Sequence, residues 1–209
     1  KIIWSFVMAL VKHTNNSLSN ITALPSAVPT GKMTLLSTAT ASSSASLSFN
    51  STYINSDYLI YKFEFINIHP QNNNDFQFNI STDNGSNYNV TKTSTYFTAA
   101  HAENNVEASV AYNTPRDLAQ GTGYQFLSHV VGNGNDESLS GSMTLFNPSS
   151  TVFVKHFISD VHIYEGSDYA LRAFCAGYGN TTSAVNAISF RIETGNIDAG
   201  QIKLYGLAN

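Results

Sequence analysis

The residues best placed for metal chemistry lie in HFISDVH, where His156, Asp160 and His162 share strand parity. Imidazole and carboxylate side chains on one strand face are ligands that transition metals bind. His156 and His162 would lie roughly 20 Å apart along a regular strand, at about 3.3 Å per residue. The two imidazoles therefore cannot share one ion, and Asp160 with His162 supplies two ligands at most. We predict polar residues on a solvated strand face here, and no metal site.

A second candidate for metal binding is the loop GNGNDE at 132–137, which carries Asn133, Asn135, Asp136 and Glu137. Calcium binds oxygen ligands, and this loop is rich in amide and carboxylate oxygens. It lacks the spaced acidic positions and the distal glutamate of an EF-hand loop. Gly, Asn and Asp are also the residues that tight turns favour. A turn explains the composition as well as a calcium site does, and we predict no metal ligand in it.

Hydrolytic chemistry would need a pair of carboxylates for glycoside cleavage, or a Ser-His-Asp set for acyl transfer. The chain has 14 acidic residues, and most of them stand isolated in turn-like segments. The GxSxG motif of α/β-hydrolases does not occur in the sequence. With six histidines and many serines, chance pairings of these residue types are expected. We therefore predict a non-enzymatic protein, with no catalytic residue, metal or cofactor.

Aromatic side chains are the remaining candidates for ligand contact, since the chain has 11 tyrosines and 13 phenylalanines. Most phenylalanines fall on the apolar side of alternating segments, which predicts core packing. Tyrosine is common on exposed sheet faces, and its ring can stack on a sugar or contact a partner protein. The residues predicted for glycan or partner contact are Tyr96, Tyr112, Tyr178 and Tyr205.

Composition excludes several functional classes. Charged residues make up 11% of the chain, against roughly 25% in an average soluble domain, and Ser, Thr and Asn take their place. This composition is typical of extracellular and virion β-proteins. The net charge is −4 and no run of Lys or Arg occurs, which argues against nucleic-acid binding. The sequence has no stretch of 18 or more apolar residues, which a membrane-spanning helix would need. The single cysteine, Cys175, is predicted to be a buried thiol.

The elements that carry these residues alternate with a period of two. In DFQFNIS, for example, Phe76, Phe78 and Ile80 fall on one face, and Gln77 and Asn79 on the other. Such alternation predicts half-buried strands of an antiparallel sheet. A short helix is predicted at 115–120, after Pro115. The predicted strands are, approximately, 33–37, 45–52, 58–69, 75–81, 88–93, 95–100, 107–112, 124–130, 138–146, 151–164, 169–177, 185–193 and 201–206.

Ten or more short strands with almost no helical periodicity predict an all-β protein, built as an antiparallel β-sandwich or barrel. A jelly roll is the most economical choice, with residues 36–209 as the sandwich body. Residues 8–35 are rich in Asn, Ser, Thr and Pro, which predicts an extended N-terminal arm. The first residues, KIIWSFV at 1–7, form an apolar extension that lacks the charged region and cleavage site of a signal peptide.

Three parts of the chain carry a resemblance: MALVKHTNNSLSNITALPSAVPTG, YKFEFINIHPQNNNDFQFNISTDNGSNYNVTKT, and LFNPSSTVFVKHFIS together with AGYGNTTSAVNAISFRIETGNIDAGQIKLYGLAN. Together they resemble a family of structural proteins from tailed bacteriophages, mainly aquatic ones. The resemblance runs from Met8 to the C-terminus, and GNIDAGQIKLYG is its most specific part. It implies a place on the virus particle and contributes no catalytic motif. Because it starts at Met8, residues 1–7 are interpreted as an upstream extension, or alternatively as an anchoring strand inserted in a neighbouring subunit.

The resemblance implies a virion surface protein that acts as a capsid decoration or head fibre. We expect its arm to bind other virion proteins, such as the major capsid or tail proteins. By analogy with phage surface jelly rolls, the chain is expected to be a homo-oligomer, in particular a trimer. The apolar residues predicted to anchor the arm are Leu10, Val11, Leu18, Ile21 and Leu24.

Three other functions remain open at the level of sequence. A tail fibre or receptor-binding protein that recognises host-surface glycans is a second place on the virion, and it fits a surface rich in tyrosine and amide groups. A carbohydrate-binding module would show two or three coplanar exposed aromatic rings near one sheet face or loop end. An enzyme such as a depolymerase would need two carboxylates about 5–10 Å apart in a groove.

Overall fold

A computed structural model of the chain describes residues 33–207, which form twelve β-strands and no helix. The predicted all-β class is confirmed. The strands are β1 (Met33–Thr40), β2 (Leu47–Phe49), β3 (Ile60–Pro70), β4 (Phe76–Ser81), β5 (Lys92–Ala102), β6 (Ala108–Tyr112), β7 (Gln125–Phe126), β8 (Leu139–Phe146), β9 (Lys155–Glu165), β10 (Tyr169–Gly179), β11 (Ala187–Ile192) and β12 (Ile197–Leu207).

The strands form two sheets, and every neighbouring pair runs antiparallel. The larger sheet has eight strands in the order β1-β12-β3-β8-β9-β10-β5-β6. The smaller sheet has four strands in the order β2-β11-β4-β7. Many neighbours are distant along the chain, so most contacts that hold the fold are long-range.

The hydrophobic core lies between the two sheets, as expected for a β-sandwich. Phe190 of β11 packs on Phe63 of β3 with ring centroids 5.1 Å apart, and Phe78 of β4 packs on Phe157 of β9 at 4.9 Å. All four rings are almost completely buried. Because fully burying one such side chain stabilises a fold by about 1.5–3 kcal/mol, this aromatic layer is a large part of what holds the sheets together. Cys175 is buried in the same core, as predicted.

The strand predicted at 88–93 is wrong over residues 88–91, which form no strand. The carbonyl of Tyr88 accepts a hydrogen bond from the Asn79 side chain at 2.6 Å, and the carbonyl of Thr91 accepts one from the Asn180 backbone N–H at 2.7 Å. These backbone groups are thus bound to a side chain and a loop, and no strand ladder forms. Regular pairing begins at Lys92.

The helix predicted at 115–120 is also wrong, since residues 114–116 form a turn. Leu118 lies beside the start of β5, where its N–H donates to Ser94 Oγ and its carbonyl accepts from the Ser94 N–H, both at 2.9 Å. The backbone groups that a helix would bond internally are taken by β5. Tertiary pairing has overridden the local preference that follows Pro115.

The sequence predicts β4 to be half-buried, with Gln77 and Asn79 on its solvent-facing side, but the structure buries both side chains. The side-chain amide of Asn79 donates to the carbonyl of Thr122 at 3.0 Å, and Gln77 Oε1 accepts from Arg191 Nε at 3.3 Å. The outer face of β4 is therefore covered by the loop that carries Thr122 and by the Arg191 side chain of β11. Alternation within one strand cannot reveal such a cover, since the covering residues come from elsewhere in the chain.

The predicted boundary between arm and body lies inside β1, because residues 33–35 pair with β12. The rest of the arm at 8–35, with its five anchoring residues, and the extension at 1–7 lie outside the described residues. Within residues 33–207, no helix is long and apolar enough to cross a membrane.

Candidate functional site

The outer face of the eight-stranded sheet is unusually apolar on four of its strands. On β5, Tyr96 points into the core, so Phe97 must point outward because strand side chains alternate. On β10, Phe174 lies between the buried Ala173 and Cys175 and takes the same outward orientation. The register brings these outward rings together, since Phe97 is directly opposite Phe174.

Further apolar side chains continue this surface on the neighbouring strands. Tyr112 of β6 is opposite Phe97, and Val110 and Ile158 occupy outward positions on β6 and β9. The exposed fraction is 76% for Val110, 55% for Ile158, 54% for Tyr112 and 40% for Phe97. We call this surface the outer-face patch; it consists of Phe97, Val110, Tyr112, Ile158 and Phe174.

The geometry of the patch shows which parts of its rings are available to a partner. Phe97 and Phe174 stack with centroids 4.8 Å apart and an interplanar angle of 16°. The guanidinium of Arg172 lies 4.5 Å from the Phe174 centroid, and its Nε donates to Asp160 at 2.9 Å. The Phe174 ring is thus engaged by Phe97 and Arg172. A ring engaged in this way fits a protein surface better than it fits a sugar ring, which needs an open aromatic face.

A shallow groove of about 490 Å³ adjoins the patch on β5, β9 and β10. Its lining includes Thr95, His156, Ile158, Ala176 and Tyr178. The rings of His156 and Tyr178 meet edge to face, with centroids 6.3 Å apart. The groove extends the apolar character of the outer face toward Tyr178.

A polar cleft of about 390 Å³ lies near the opposite end of β5 and β10. It is lined by two carboxylates, Glu107 and Glu165, together with Asn113, His129 and Tyr169. The Tyr169 hydroxyl donates to Glu107 Oε2 at 3.1 Å. Carboxylate, amide and phenol groups in one cleft can hydrogen-bond a polyhydroxylated ligand.

A buried polar cluster lies next to this cleft. Arg116 Nη2 donates to both carboxylate oxygens of Asp75, at 2.9 and 3.3 Å. Burial raises the pKa of Asp75 to about 6, although the Arg116 charge opposes the shift. Burial and the same guanidinium lower the pKa of His129 to about 4, so its imidazole is neutral at pH 7. The ion pair attaches the loop that carries Arg116 to the start of β4.

Three polar atoms of this region have no hydrogen-bond partner among residues 33–207: Tyr96 Oη, Arg116 Nε and His129 Nδ1. Burial also raises the pKa of Tyr96, which keeps its phenol protonated. Tyr96, predicted for glycan contact, is therefore unsuitable for that role, because its side chain has no exposure to solvent.

The other predicted contact tyrosines are spread across the large sheet. Tyr112 lies in the patch on β6, and Tyr178 borders the groove on β10. Tyr205 is on β12, where it pairs with Lys62 of β3, several strands away from the others. The structure thus brings two of the four tyrosines to one region. Sequence reasoning missed Phe97, Phe174 and Ile158 as surface residues, because apolar residues in alternating segments are assigned to the core by default.

In the two segments considered for metal binding, carboxylate side chains bond to other groups of the protein. In HFISDVH, Asp160 is bound in bidentate fashion by Arg172. In the 132–137 loop, the Glu137 carboxylate accepts from the Gly134 N–H, and the Gly134 carbonyl lies 3.0 Å from His69 Nε2. Among the described residues, no three His, Cys, Asp or Glu side chains are grouped so that they could hold a metal ion.

Comparisons of the chain with protein-family models, with curated proteins and with solved structures found no match.

Proposed function

We propose that this chain is a non-enzymatic bacteriophage virion surface protein, a capsid decoration or head fibre attached to the particle through its N-terminal arm at 8–35. The observation that carries the proposal is the outer-face patch, since contiguous exposed apolar surface marks an interaction site on soluble proteins. The resemblance of the sequence to phage structural proteins supplies the setting. The partners would be other virion proteins, such as the major capsid protein, and further copies of the chain.

We further propose that the sandwich is a jelly roll with four added strands. When the eight strands of a jelly roll are numbered along the chain, its two sheets have the orders 1-8-3-6 and 2-7-4-5. Without β5, β6, β9 and β10, the sheets here have the orders β1-β12-β3-β8 and β2-β11-β4-β7. Renumbered along the chain, these are the two jelly-roll orders. The strand order supports a fold that is common in viral capsid and lectin domains.

The four added strands extend the larger sheet beyond β8, and they carry the whole outer-face patch. A sandwich of eight strands is sufficient to enclose a core. The added strands therefore need another reason, and a partner-binding surface supplies one. In this proposal the eight-strand frame is the scaffold, and the extension makes the contact with a neighbouring virion protein.

A second candidate function is a tail fibre or receptor-binding protein that recognises host-surface glycans. The polar cleft favours it, because Glu107, Asn113 and Tyr169 can hydrogen-bond sugar hydroxyls. The outer-face patch favours a protein partner instead, since Phe97 and Phe174 stack on each other and aliphatic side chains lie around them. For this reason the decoration function is preferred.

The proposal is tested by labelling intact phage particles with an antibody raised against residues 36–209 and imaging them by electron microscopy. We expect label distributed over the capsid. Label confined to the tail would overturn the decoration function and favour the receptor-binding candidate. Particles without label would show that the chain is not on the virion surface.

The role of the patch is tested by adding the purified protein to phage particles that lack this protein and measuring how much binds. Replacing Phe97 and Ile158 together by Ser is expected to reduce the amount bound by at least tenfold, because exposed apolar contact area is lost. The matched control is Val152→Ser, which changes a residue that is 68% exposed and lies outside the patch. Equal binding by the double variant and the control would show that the patch makes no contact with the particle, and it would leave attachment to the N-terminal arm alone.

A further inference from the structure

The strand β6 forms one edge of the eight-stranded sheet, and no strand pairs with its outer side among residues 33–207. Its hydrogen bonds to β5 determine which of its backbone groups remain free. The Asn113 N–H bonds the Tyr96 carbonyl, and the Ala102 N–H bonds the Glu107 carbonyl, both at 2.9 Å. Hydrogen-bonded pairs occur at every second residue of an antiparallel ladder. The N–H and C=O groups of the alternate residues point away from β5, toward the open edge of the sheet. These residues are Ala108, Val110 and Tyr112.

The other sheet edges carry features that discourage strand pairing. At the opposite edge of the large sheet, β1 has a register shift between Leu35 and Ser37. The edges of the small sheet are β2, with three residues, and β7, with two. Bulges and short length are recognised means of protecting an edge from other chains. In contrast, β6 has five uncharged residues, ASVAY, without proline and without a register shift.

We propose that two copies of this chain pair through β6 in antiparallel fashion, about a two-fold axis at Val110. An extended peptide strand is the partner that free N–H and C=O groups at alternating positions require. A second β6 offers the same free groups, and pairing about Val110 forms about six backbone hydrogen bonds. It also places the small Ala108 of one copy opposite the large Tyr112 of the other, and the two Val110 side chains next to each other.

The charges near β6 favour this arrangement over a parallel one. Glu103 and Glu107 lie at one end of the strand. Antiparallel pairing about Val110 places the two Glu107 residues roughly 20 Å apart, at about 3.4 Å per residue. Parallel pairing in register would place them side by side, where like charges repel. Self-complementarity in size and charge is the reason to assign the edge to a second copy and not to a foreign strand.

The pairing would also join the two outer-face patches into one surface across the dimer, because Val110 and Tyr112 belong to both the edge and the patch. The contact itself does not depend on where the chain lies on a particle. If labelling shows that the protein is not on the virion surface, the proposed pairing would still stand. If the protein proves to be monomeric, the proposed place on the virion would still stand.

The experiment measures the mass of the full chain by size-exclusion chromatography with light scattering, over a range of concentrations. We expect the wild type to be a dimer. Val110→Pro is expected to be monomeric, since it removes an N–H that points to the open edge and leaves the ladder with β5 intact. Val110→Lys is expected to be monomeric as well, because it places two ammonium groups together, and it guards against misfolding of the proline variant.

Val110→Thr is the matched control, because it keeps the backbone N–H and the β-branched shape, and it should remain dimeric. Amide hydrogen exchange provides a second measurement: the N–H groups of Ala108 and Tyr112 should be protected in the wild type and exchange rapidly in Val110→Pro. A monomeric wild type at its highest soluble concentration would overturn the proposal. So would any assembly, including the trimer that the sequence resemblance implies, in which neither Val110→Pro nor Val110→Lys changes the mass.

Discussion

Replacing Phe190 by Ala is expected to lower the free energy of unfolding by about 3–5 kcal/mol. The Phe190 ring is completely buried at the centre of the aromatic layer between the sheets. Its centroid lies 5.1 Å from that of Phe63 and 5.3 Å from that of Phe65 on the opposite sheet, and 5.9 Å from that of Phe76 on its own sheet. Truncation removes apolar burial and leaves a cavity, because the surrounding rings are held by both sheets and cannot close around it. Urea-induced unfolding followed by fluorescence measures the change.

The matched control for this prediction is Phe153→Ala. Phe153 is 67% exposed, so its truncation should alter the free energy of unfolding by no more than about 0.5 kcal/mol. Equal losses in the two variants would contradict the description of the core. A loss below about 1 kcal/mol for Phe190→Ala would show that the two sheets do not pack through this ring.

The free energy of unfolding is expected to rise by about 3 kcal/mol between pH 7 and pH 9.5 because of Lys92, at about 1.4 kcal/mol per pH unit. Burial lowers the pKa of Lys92 from 10.5 to about 7 in the folded protein. Between these two values the unfolded chain binds a proton that the folded protein does not. Raising the pH removes this advantage of the unfolded chain, so stability increases. Below pH 7 both states carry the proton, and the contribution of Lys92 is constant.

The hydrogen bonds of Lys92 agree with a neutral amine in the folded protein. Its Nζ donates to Asn79 Oδ1 at 2.5 Å and to the Val90 carbonyl at 2.8 Å. A neutral amine has two N–H groups, and both are satisfied by these acceptors. The third N–H of an ammonium ion would have no acceptor among residues 33–207. Burial of the side chain therefore acts against the charged form.

Chemical denaturation at several pH values measures this effect, with Lys92→Met as the comparison. Methionine has a similar length and no titrating group, so the variant should lack the rise that Lys92 causes. Lys155 is also buried and its pKa is also lowered, but it is present in both proteins and cancels in the difference. Parallel stability profiles for the two proteins between pH 7 and pH 9.5 would contradict the assignment.

Much of the strand content follows from the sequence by itself. Alternation in FQFNIS and AISFRI predicts strands that the structure confirms as β4 and β11. Where prediction failed, the cause was contact between distant segments. Backbone groups in 88–91 hydrogen-bond to Asn79 and Asn180, and those in 115–120 hydrogen-bond to Ser94. No local sequence pattern predicts such partners.

The candidate site could be predicted only in part. Tyr112 was identified as a surface contact residue from the preference of tyrosine for exposed sheet faces. Tyr96 was placed in the same class and is buried, whereas its neighbour Phe97 is on the surface. In STYFTAAHA, Tyr96 and Phe97 are consecutive. Alternation therefore shows that their rings point to opposite faces of the strand, but it does not show which ring faces the core. That choice depends on which face of β5 is covered by the rest of the fold.

The amino-acid sequence alone determined that this chain is an all-β protein of antiparallel strands with a buried thiol at Cys175, because period-two alternation and composition are local properties. The order of the strands, the added strands β5, β6, β9 and β10, and the meeting of Phe97 with Phe174 were decided by the tertiary structure. These features depend on pairing between residues far apart in the chain, and sheet register is set by the burial of one whole face at once. The open edge at β6 belongs to the same class, since a strand becomes an edge only through the absence of a neighbour among the strands that the structure describes.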